Sequence, residues 1–265
     1  MRKKHKIASK PYFGAFLFCI LGFVLPSLFS DKLDSIIENA IGVGYVGSCI
    51  FAIVFLFLFK LWFRPEFKGC IHGEGWNVRF MIPFVVVLGI DLIMNGISFS
   101  NLSTNTIMMS ITAGLFEETA FRVYPVSVFL RGKRKESDIM KGVIFISAIF
   151  GVFHLGNMLG GAGLGVSILQ VCATFASGML FTALYIRTGS IIPSMILHGL
   201  HDFVCFLDPA AVNESGIVIA DLTTDLIINE SVMFAANLAM AIFILRPSVR
   251  KDIVAIWDKK WGGDN

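Results

Sequence analysis

Apolar residues in this chain come in runs of about twenty, which is the length of helix that crosses the hydrocarbon core of a bilayer. The runs fall near residues 12–29, 41–63, 80–97, 106–130, 142–159, 164–186, 190–207 and 231–245. Of the 265 residues, 55% are hydrophobic and 15% are charged, whereas soluble domains average about 25% charged residues. A water-soluble enzyme is therefore excluded. The sequence predicts an all-α, polytopic membrane bundle of about eight transmembrane helices.

Positive charge is confined to one end of such a bundle. If the eight runs alternate across the membrane, every Lys and Arg except Lys32 lies on the side of the N-terminus. The opposite loops carry carboxylates instead, namely Asp31, Asp34, Glu38, Asp208, Glu214, Asp221, Asp225 and Glu230. Lys and Arg in short loops mark the cytoplasmic face of a membrane protein. Both termini are therefore expected in the cytoplasm.

The chain shows no internal repeat and no proline-rich linker, so residues 1–265 are interpreted as one membrane-embedded domain. Residues 1–11 and 246–265 are predicted to be cytoplasmic tails, the second of them basic. The net charge is only +3 and is spread over the loops, which argues against a nucleic-acid partner. The five cysteines form no CxxC pair and predict neither a disulfide framework nor a cysteine metal site.

Several ionisable side chains lie inside the apolar runs, where each costs several kcal/mol unless it is paired or hydrated, and where function is the default interpretation. They are Asp91, Glu117, Glu118, His154, His198, His201 and Asp202. At a helical rise of about 1.5 Å per residue, four of them lie roughly 12 to 18 Å from the cytoplasmic surface that the Lys and Arg residues mark. These four are Asp91, Glu118, His154 and His198. One buried polar site shared by several helices is therefore predicted.

Spacing within each helix indicates which of these side chains meet, because residues four apart share a face. Three such pairs occur here: Glu118 with Arg122, Phe150 with His154, and His198 with Asp202. Arg122 is expected to neutralise and orient Glu118. Neighbouring residues on a helix diverge by about 100°, so Glu117 cannot face the same arginine and is available for another role.

The chemistry that suits such groups is the activation of water. A carboxylate and an imidazole can remove a proton from water as it attacks a carbonyl, and a second imidazole can stabilise the resulting oxyanion. The alternative is a zinc or other divalent ion held by Glu117, His154 and His198, since two histidines and one carboxylate suffice for catalytic zinc. The chain has no HExxH motif. The residues leave both the metal and the metal-free interpretation open.

Three segments resemble the ordered motifs EExxxR, FxxxH and HxxxN/D of the CAAX-protease and bacteriocin-processing family, also called the Abi family, of intramembrane peptidases. They are Glu117-Glu118-Thr-Ala-Phe-Arg122, Phe150-Gly-Val-Phe-His154 and His198-Gly-Leu-His-Asp202. The resemblance covers roughly residues 104–207, and it implies hydrolysis of a peptide bond in a membrane-associated peptide or protein substrate. It implies roles by motif position. Glu117 and His154 activate water, Glu118 and Arg122 orient the site, and His198 with Asp202 holds the oxyanion or completes the water-binding cluster.

Asp202 departs from the commoner asparagine of the third motif, and accepting a proton from His198 is its easier role.

The short loops are similar to those of the bacterial branch, which favours a bacterial cytoplasmic membrane and a part in peptide processing or self-immunity. Two other functions are a non-proteolytic regulator of a partner membrane protein and an ion or proton carrier. Intact motifs disfavour the first, and the lack of two-half symmetry disfavours the second.

Three further expectations concern the surroundings of the site. The peptidase interpretation places the cavity toward the cytoplasmic half of the bilayer. Asp91 and His201 lie outside the motifs, and each is interpreted as an auxiliary or structural polar group.

Overall fold

The computed structural model describes residues 10–63, 67–73, 81–96, 99, 102–132, 134–207, 217–218 and 220–262. The helices are α1 (Pro11–Ile41), α2 (Val46–Trp62), α3 (Met81–Asn95), α4 (Thr104–Thr112), α5 (Tyr124–Phe129), α6 (Glu136–Phe153), α7 (Leu164–Thr188), α8 (Ile192–Phe206), α9 (Thr224–Ile244) and α10 (Arg250–Lys260). Two π-helical segments, Ala113–Glu117 and Thr119–Val123, connect α4 to α5, and a 3-10 segment, His154–Gly160, extends α6. No β-strand occurs in these parts of the chain, which confirms the predicted all-α class for them.

Every predicted apolar run coincides with a helix or with a continuous helical stretch. Four helices are long and apolar enough to cross a bilayer: α1, α6 with its extension, α7 and α9. Shorter apolar helices occupy α2, the second half of α3 and α8. The chain is therefore an integral membrane protein, while the count of eight crossings and the side of the termini stay predictions.

Helix α1 continues about three turns beyond its apolar run, which ends at Phe29. The polar residues that follow Phe29 include no glycine before Gly42, so nothing interrupts the helix. Gly42 has a φ of 73°, and its N–H donates to the carbonyl of Glu38, which is the left-handed cap that ends many helices. Hydropathy marks the limit of lipid contact, whereas capping decides the end of the helix.

Helix α7 lies at the centre of the bundle and packs against α6, α8 and α9. Its residues from Ala176 to Ile186 are all buried, as expected for a helix that is apolar on every side. A Cβ added to Gly178 would lie 3.1 Å from the ring of Phe150 and 3.3 Å from Nη2 of Arg122. This glycine therefore lets the central helix approach the predicted site closely.

The tail helix α10 closes one end of the bundle, which we call the basic end. Lys260 donates from Nζ to the carbonyls of Gly69 (2.7 Å) and His72 (2.9 Å), and Trp257 donates from Nε1 to the carbonyl of Ile186 (3.0 Å). The Lys and Arg residues of the loops and tail surround this docking site, as alternation of the helices predicts. The predicted basic tail is thus a packed helix in the described part of the chain.

The opposite end, which we call the acidic end, is closed by contacts between other helix termini. Gly44, between α1 and α2, donates from its N–H to Oδ1 of Asn105 at the start of α4 (3.0 Å). Asn157 donates from Nδ2 to Oε1 of Gln170 near the start of α7 (3.2 Å). Carboxylates are exposed here at Asp31, Glu38, Asp221 and Asp225. The two ends of the bundle therefore differ in the sign of their charge.

Candidate active site

The backbone changes from α-helix to π-helix where the two adjacent glutamates lie. The two π-helical segments flank Glu118, and the hydroxyl of Thr119 donates to the carbonyl of Leu115 within them (2.7 Å). Short π segments inside α-helices occur frequently at functional sites because the wider turn re-aims its side chains. Here Glu118 pairs with Arg122 and with Nδ1 of His198, whereas Glu117 faces only Nε2 of that ring.

Two glycines allow this segment to approach α8. A Cβ on Gly114 would overlap the carbonyl oxygen of Met195, and a Cβ on Gly199 would lie 3.1 Å from the carbonyl oxygen of Ser110. The backbones are thus in direct contact, as small residues permit between membrane helices. This contact brings the glutamates of the π segments within reach of His198 on α8.

Glu118 and Arg122 form the ion pair that their spacing predicts. Nη1 of Arg122 lies 2.8 Å from Oε1 of Glu118, and both side chains are fully buried. Nε and Nη2 of Arg122 have no acceptor among the described residues, and the guanidinium instead lies over the rings of Phe150 (3.9 Å) and Phe181 (5.3 Å). Cation–π attraction is strongest when desolvated, so these rings help to hold the buried charge.

Glu118 in turn orients His198. Oε1 of Glu118 lies 2.9 Å from Nδ1 of His198, while Oε2 accepts a hydrogen bond from the hydroxyl of Ser194 (2.5 Å). The carboxylate accepts the Nδ1–H, an assignment that follows from the bonding pattern and that leaves Nε2 facing away from the pair. The ring of His198 also stacks on Phe181 at 4.7 Å with an interplanar angle of 20°. The imidazole is therefore held at one face by Phe181 and at its Nδ1 edge by Glu118.

Nε2 of His198 faces two further carboxylates. Oδ2 of Asp202 lies 3.6 Å away, as the four-residue spacing predicts, and Oε2 of Glu117 lies 3.8 Å away. Glu117 is partly exposed to the cavity, with 28% of its side-chain surface accessible, and it is not the carboxylate that pairs with Arg122. Only Glu118 therefore pairs with the arginine, and Glu117 faces the cavity, as the helical spacing predicts.

His154 enters the same cavity from the end of α6. Its Nδ1 lies 3.0 Å from the carbonyl of Phe150, which can only accept, so Nδ1 carries the proton and Nε2 holds a lone pair when the ring is neutral. The Phe150 ring packs edge-on against the imidazole with centroids 4.9 Å apart, as their spacing predicts. His154 therefore presents one usable nitrogen.

One cavity of about 290 Å³ joins these groups. Its lining includes five of the motif residues, namely Glu117, Phe150, His154, His198 and Asp202. From them the lining extends to residues at or near the acidic end, namely Tyr45, Asn157, Gln170, Ile217, Val218 and Glu230, and no residue of α10 contributes to it. The expectation of a cavity toward the end that carries the Lys and Arg residues is therefore wrong. Residues next to the start of α2, in the segment after α6 and in the first half of α9 line it, whereas α10 packs across the other end.

A second polar group, the outer cluster of Asp91, His201 and Cys205, borders the same cavity, whose lining includes His201 and Cys205. Nδ1 of His201 is 2.8 Å from Oδ2 of the fully buried Asp91, so each of these two residues is a partner of the other. Potential ligand atoms of the three side chains all lie within 4.8 Å of one another. The sequence placed Asp91 and His201 in separate helices and could not show that they meet.

The metal hypothesis names Glu117, His154 and His198 as ligands. Nδ1 of His198 is occupied by Glu118, which is a common way to orient a ligating imidazole, and its Nε2 faces Glu117. Among the described residues, however, the group of three whose ligand atoms lie within 4.8 Å is the outer cluster. The proposed trio is not so arranged, and we derive no step through a metal at that position.

This geometry belongs to a segment with recognisable relatives. Residues 99–204 match the family described as Rce1-like, type II CAAX prenyl endopeptidase Rce1-like. This segment, which is less than half of the chain, is therefore similar to the CAAX-protease family. No curated protein and no solved structure matches the chain significantly. The Rce1-like family is a protease family, so the match confirms the resemblance drawn from the three motifs and supports an intramembrane endopeptidase.

Sequence reasoning missed three contributors to this Rce1-like site. Ser194 binds Glu118, Phe181 stacks on His198, and Gly114 allows the close approach of α8. Ser194 lies four residues before His198, so the same spacing rule that paired the motif residues could have indicated it. Phe181 and Gly114 carry no such signal, because aromatic and small residues are common throughout apolar helices.

Gly114→Ala is expected to lower peptidase activity by roughly tenfold to a hundredfold, since a displacement of about 1 Å at a site can have that effect. The new Cβ must push α8 away from the π segments and lengthen the Glu118–His198 contact. Gly89→Ala on α3 is the matched control, because its Cβ would meet nothing within 4 Å. Equal activity of the two purified variants would show that the close approach is not needed.

Proposed function

We propose that this chain is an intramembrane endopeptidase that hydrolyses a peptide bond with water activated by Glu117 and His154. The observation that carries the proposal is the convergence of motif side chains from three separate helical segments on one buried cavity. The match of residues 99–204 to a protease family supports the same reaction class. Several apolar helices and the charge asymmetry support a multi-pass orientation with both termini in the cytoplasm.

In the proposed reaction, a water molecule lies between the carboxylate of Glu117 and Nε2 of His154. Glu117 accepts a proton as the water oxygen attacks the carbonyl carbon, and general-base assistance of this kind contributes about 10²–10⁴-fold. A protonated Nε2 of His198 donates to the oxyanion that forms, in a site where water is largely excluded. The carbon–nitrogen bond then breaks, and the proton held by Glu117 passes to the leaving amine.

Glu118 and Arg122 act through His198 in this scheme and do not touch the substrate. The Glu118 carboxylate fixes the ring through Nδ1, and Arg122 keeps that carboxylate charged and stationary. Orientation of an imidazole by a buried carboxylate is a recurring device in hydrolases, where it selects the productive tautomer. The pair is therefore a positioning element of the proposed site.

The direct test is incubation of the purified, detergent-solubilised protein with a pool of internally quenched fluorescent peptides, followed by mass spectrometry of the products. New N-termini that depend on intact motif residues are expected. Lack of hydrolysis across the pool and in a lipid-reconstituted sample would count against the peptidase.

Asp202→Asn is expected to retain most activity, because an amide oxygen can take the place of the carboxylate oxygen that lies 3.6 Å from Nε2 of His198. Asp202→Leu removes the polar group beside Nε2 and is expected to lower kcat by roughly tenfold, which corresponds to about 1.4 kcal/mol in the activation barrier. Initial rates of peptide hydrolysis compare the two variants. Inactivity of the asparagine variant would instead show that the negative charge itself is required.

We further propose that the reaction uses no metal at Glu117, His154 and His198, since these three do not form a tight ligand group while the outer cluster does. Elemental analysis of the purified protein, combined with chelator treatment, tests this. Activity is expected to survive chelation. Should stoichiometric zinc and activity disappear together, His201→Ala separates the two locations, because it removes a ligand of the outer cluster and leaves the trio intact.

A further inference from the structure

The cavity and the positive charges lie at opposite ends of the same bundle. Described Lys and Arg residues of the loops and tail gather where α10 docks, at Lys60, Lys68, Arg131, Arg134, Lys135, Arg187, Arg246, Arg250, Lys251, Lys259 and Lys260. At the acidic end the described loops and helix termini carry one basic residue, Lys32. Direct contacts fix each end, so this separation is a property of the fold and not only of a counted alternation of helices.

The route to the motif residues begins at the acidic end. Tyr45 and Asn157 line the cavity beyond the motif residues at helix termini of that end, and Glu230 lines it from within the first two turns of α9. At the other end Trp257 and Lys260 are buried against the last turn of α7 and the loop that precedes α3. Substrate entry past α10 would require that helix to detach, whereas the cavity lining already extends to residues of the acidic end.

Charge determines which side of the membrane each end faces. Short loops rich in Lys and Arg are retained in the cytoplasm, and this bias sets the orientation of multi-pass proteins. The basic end is therefore cytoplasmic, and the cavity faces the extracytoplasmic side. A cytosolic protein tail cannot reach a cavity with that orientation.

The negative charge of the acidic end also favours substrates that carry positive charge. Asp31, Glu38, Asp221 and Asp225 are exposed there, and Glu230 lies on the cavity wall itself. Clefts with one sign of charge raise the local concentration of oppositely charged ligands and speed their association. Lys32 offsets only part of this negative charge.

We propose that the site takes its substrate from the extracytoplasmic side, as a positively charged peptide that is secreted or anchored in the outer leaflet. The orientation rests on charge and packing alone, and the peptide substrate rests on the proposed function. The motif residues carry out the same hydrolysis as in the proposed reaction. What is added is the side of the membrane from which the substrate comes and the sign of its charge.

Cysteine labelling tests the orientation without any need for activity. Asn157→Cys places a thiol on the cavity wall, and Ser137→Cys places a matched thiol on the exposed start of α6 at the basic end. Each is treated with a membrane-impermeant maleimide in right-side-out and inside-out vesicles, with the wild-type cysteines as background. The exposed Met158→Cys replaces Asn157→Cys if that variant fails to fold.

Labelling of Asn157→Cys is expected only in right-side-out vesicles, and labelling of Ser137→Cys only in inside-out vesicles. The reverse pattern would overturn the proposal, because the cavity would then face the cytoplasm. Labelling of both thiols from one side would overturn it as well, since the two ends would not face different compartments.

Hydrolysis tests the substrate. Two quenched peptide pools with identical centres, one flanked by Lys and one by Glu, are added outside proteoliposomes whose orientation is known from Ser137→Cys labelling. The Lys-flanked pool is expected to have the larger kcat/KM at the acidic end, by a margin that shrinks as salt screens the charges. Preference for Glu flanks, or cleavage only at the basic end, would overturn the proposal and leave the peptidase standing. Cleavage at neither end, with the expected labelling, would contradict the peptidase and its substrate but uphold the orientation.

Discussion

Glu117→Gln is expected to reduce peptide hydrolysis by about 10²–10⁴-fold, which is the usual contribution of a general base. The amide has the shape of the carboxylate but cannot accept the proton of the attacking water. The fold should persist, because Arg122 pairs with Glu118 and does not depend on Glu117. Initial rates with the quenched peptide pool measure the loss, and the midpoint of thermal unfolding in detergent reports the fold.

The matched control for this variant is Glu136→Gln. Glu136 lies in the first turn of α6 at the basic end, remote from the cavity lining, so its neutralisation should leave the rate unchanged. If Glu117→Gln hydrolyses the pool as fast as Glu136→Gln does, Glu117 is not the base. His154→Ala would then be the next variant to assay, because its Nε2 faces the same cavity.

Arg122→Met is expected to lower the free energy of unfolding by about 3–5 kcal/mol, the usual penalty when one partner of a buried ion pair is removed. Glu118 would remain fully buried without its cation. Glu118→Leu combined with Arg122→Met should recover most of this loss, since replacing both charges with apolar groups leaves neither uncompensated. Denaturant unfolding of the three proteins in the same detergent measures the differences.

Activity separates the two roles of this ion pair. The double variant is expected to stay inactive even though it is stable, because His198 has lost the carboxylate that fixes Nδ1. Recovery of both stability and hydrolysis in the double variant would show that the pair only packs the helices. Undiminished stability of Arg122→Met would show that the guanidinium does not compensate Glu118.

Local features of the site followed from spacing because a helix has a fixed repeat. Glu118 with Arg122 and His198 with Asp202 are four residues apart, and each pair lies on one face whatever surrounds the helix. The apolar runs coincide with helices for a related reason, since backbone polar groups must be satisfied within each segment in a bilayer. These predictions needed no knowledge of how the helices pack.

Contacts between different helices could not be predicted from residue spacing along one helix. The contact of Asp91 with His201 joins α3 to α8, and the stacking of Phe181 on His198 joins α7 to α8. Both depend on the rotation and tilt of whole helices, which packing determines. The π-helical turn around Glu118 could not be predicted either, because it departs from the regular α-helical repeat.

The amino-acid order alone determined that this is a helical membrane protein, which side chains are ionisable at membrane depth, and which of them pair within one helix. Only the tertiary structure decided that these groups converge on one cavity and that this cavity lies at the end opposite the Lys and Arg residues. The physical reason is that hydropathy and helical repeat act along a single segment. Depth, tilt and the direction in which a cavity opens arise where several segments pack together.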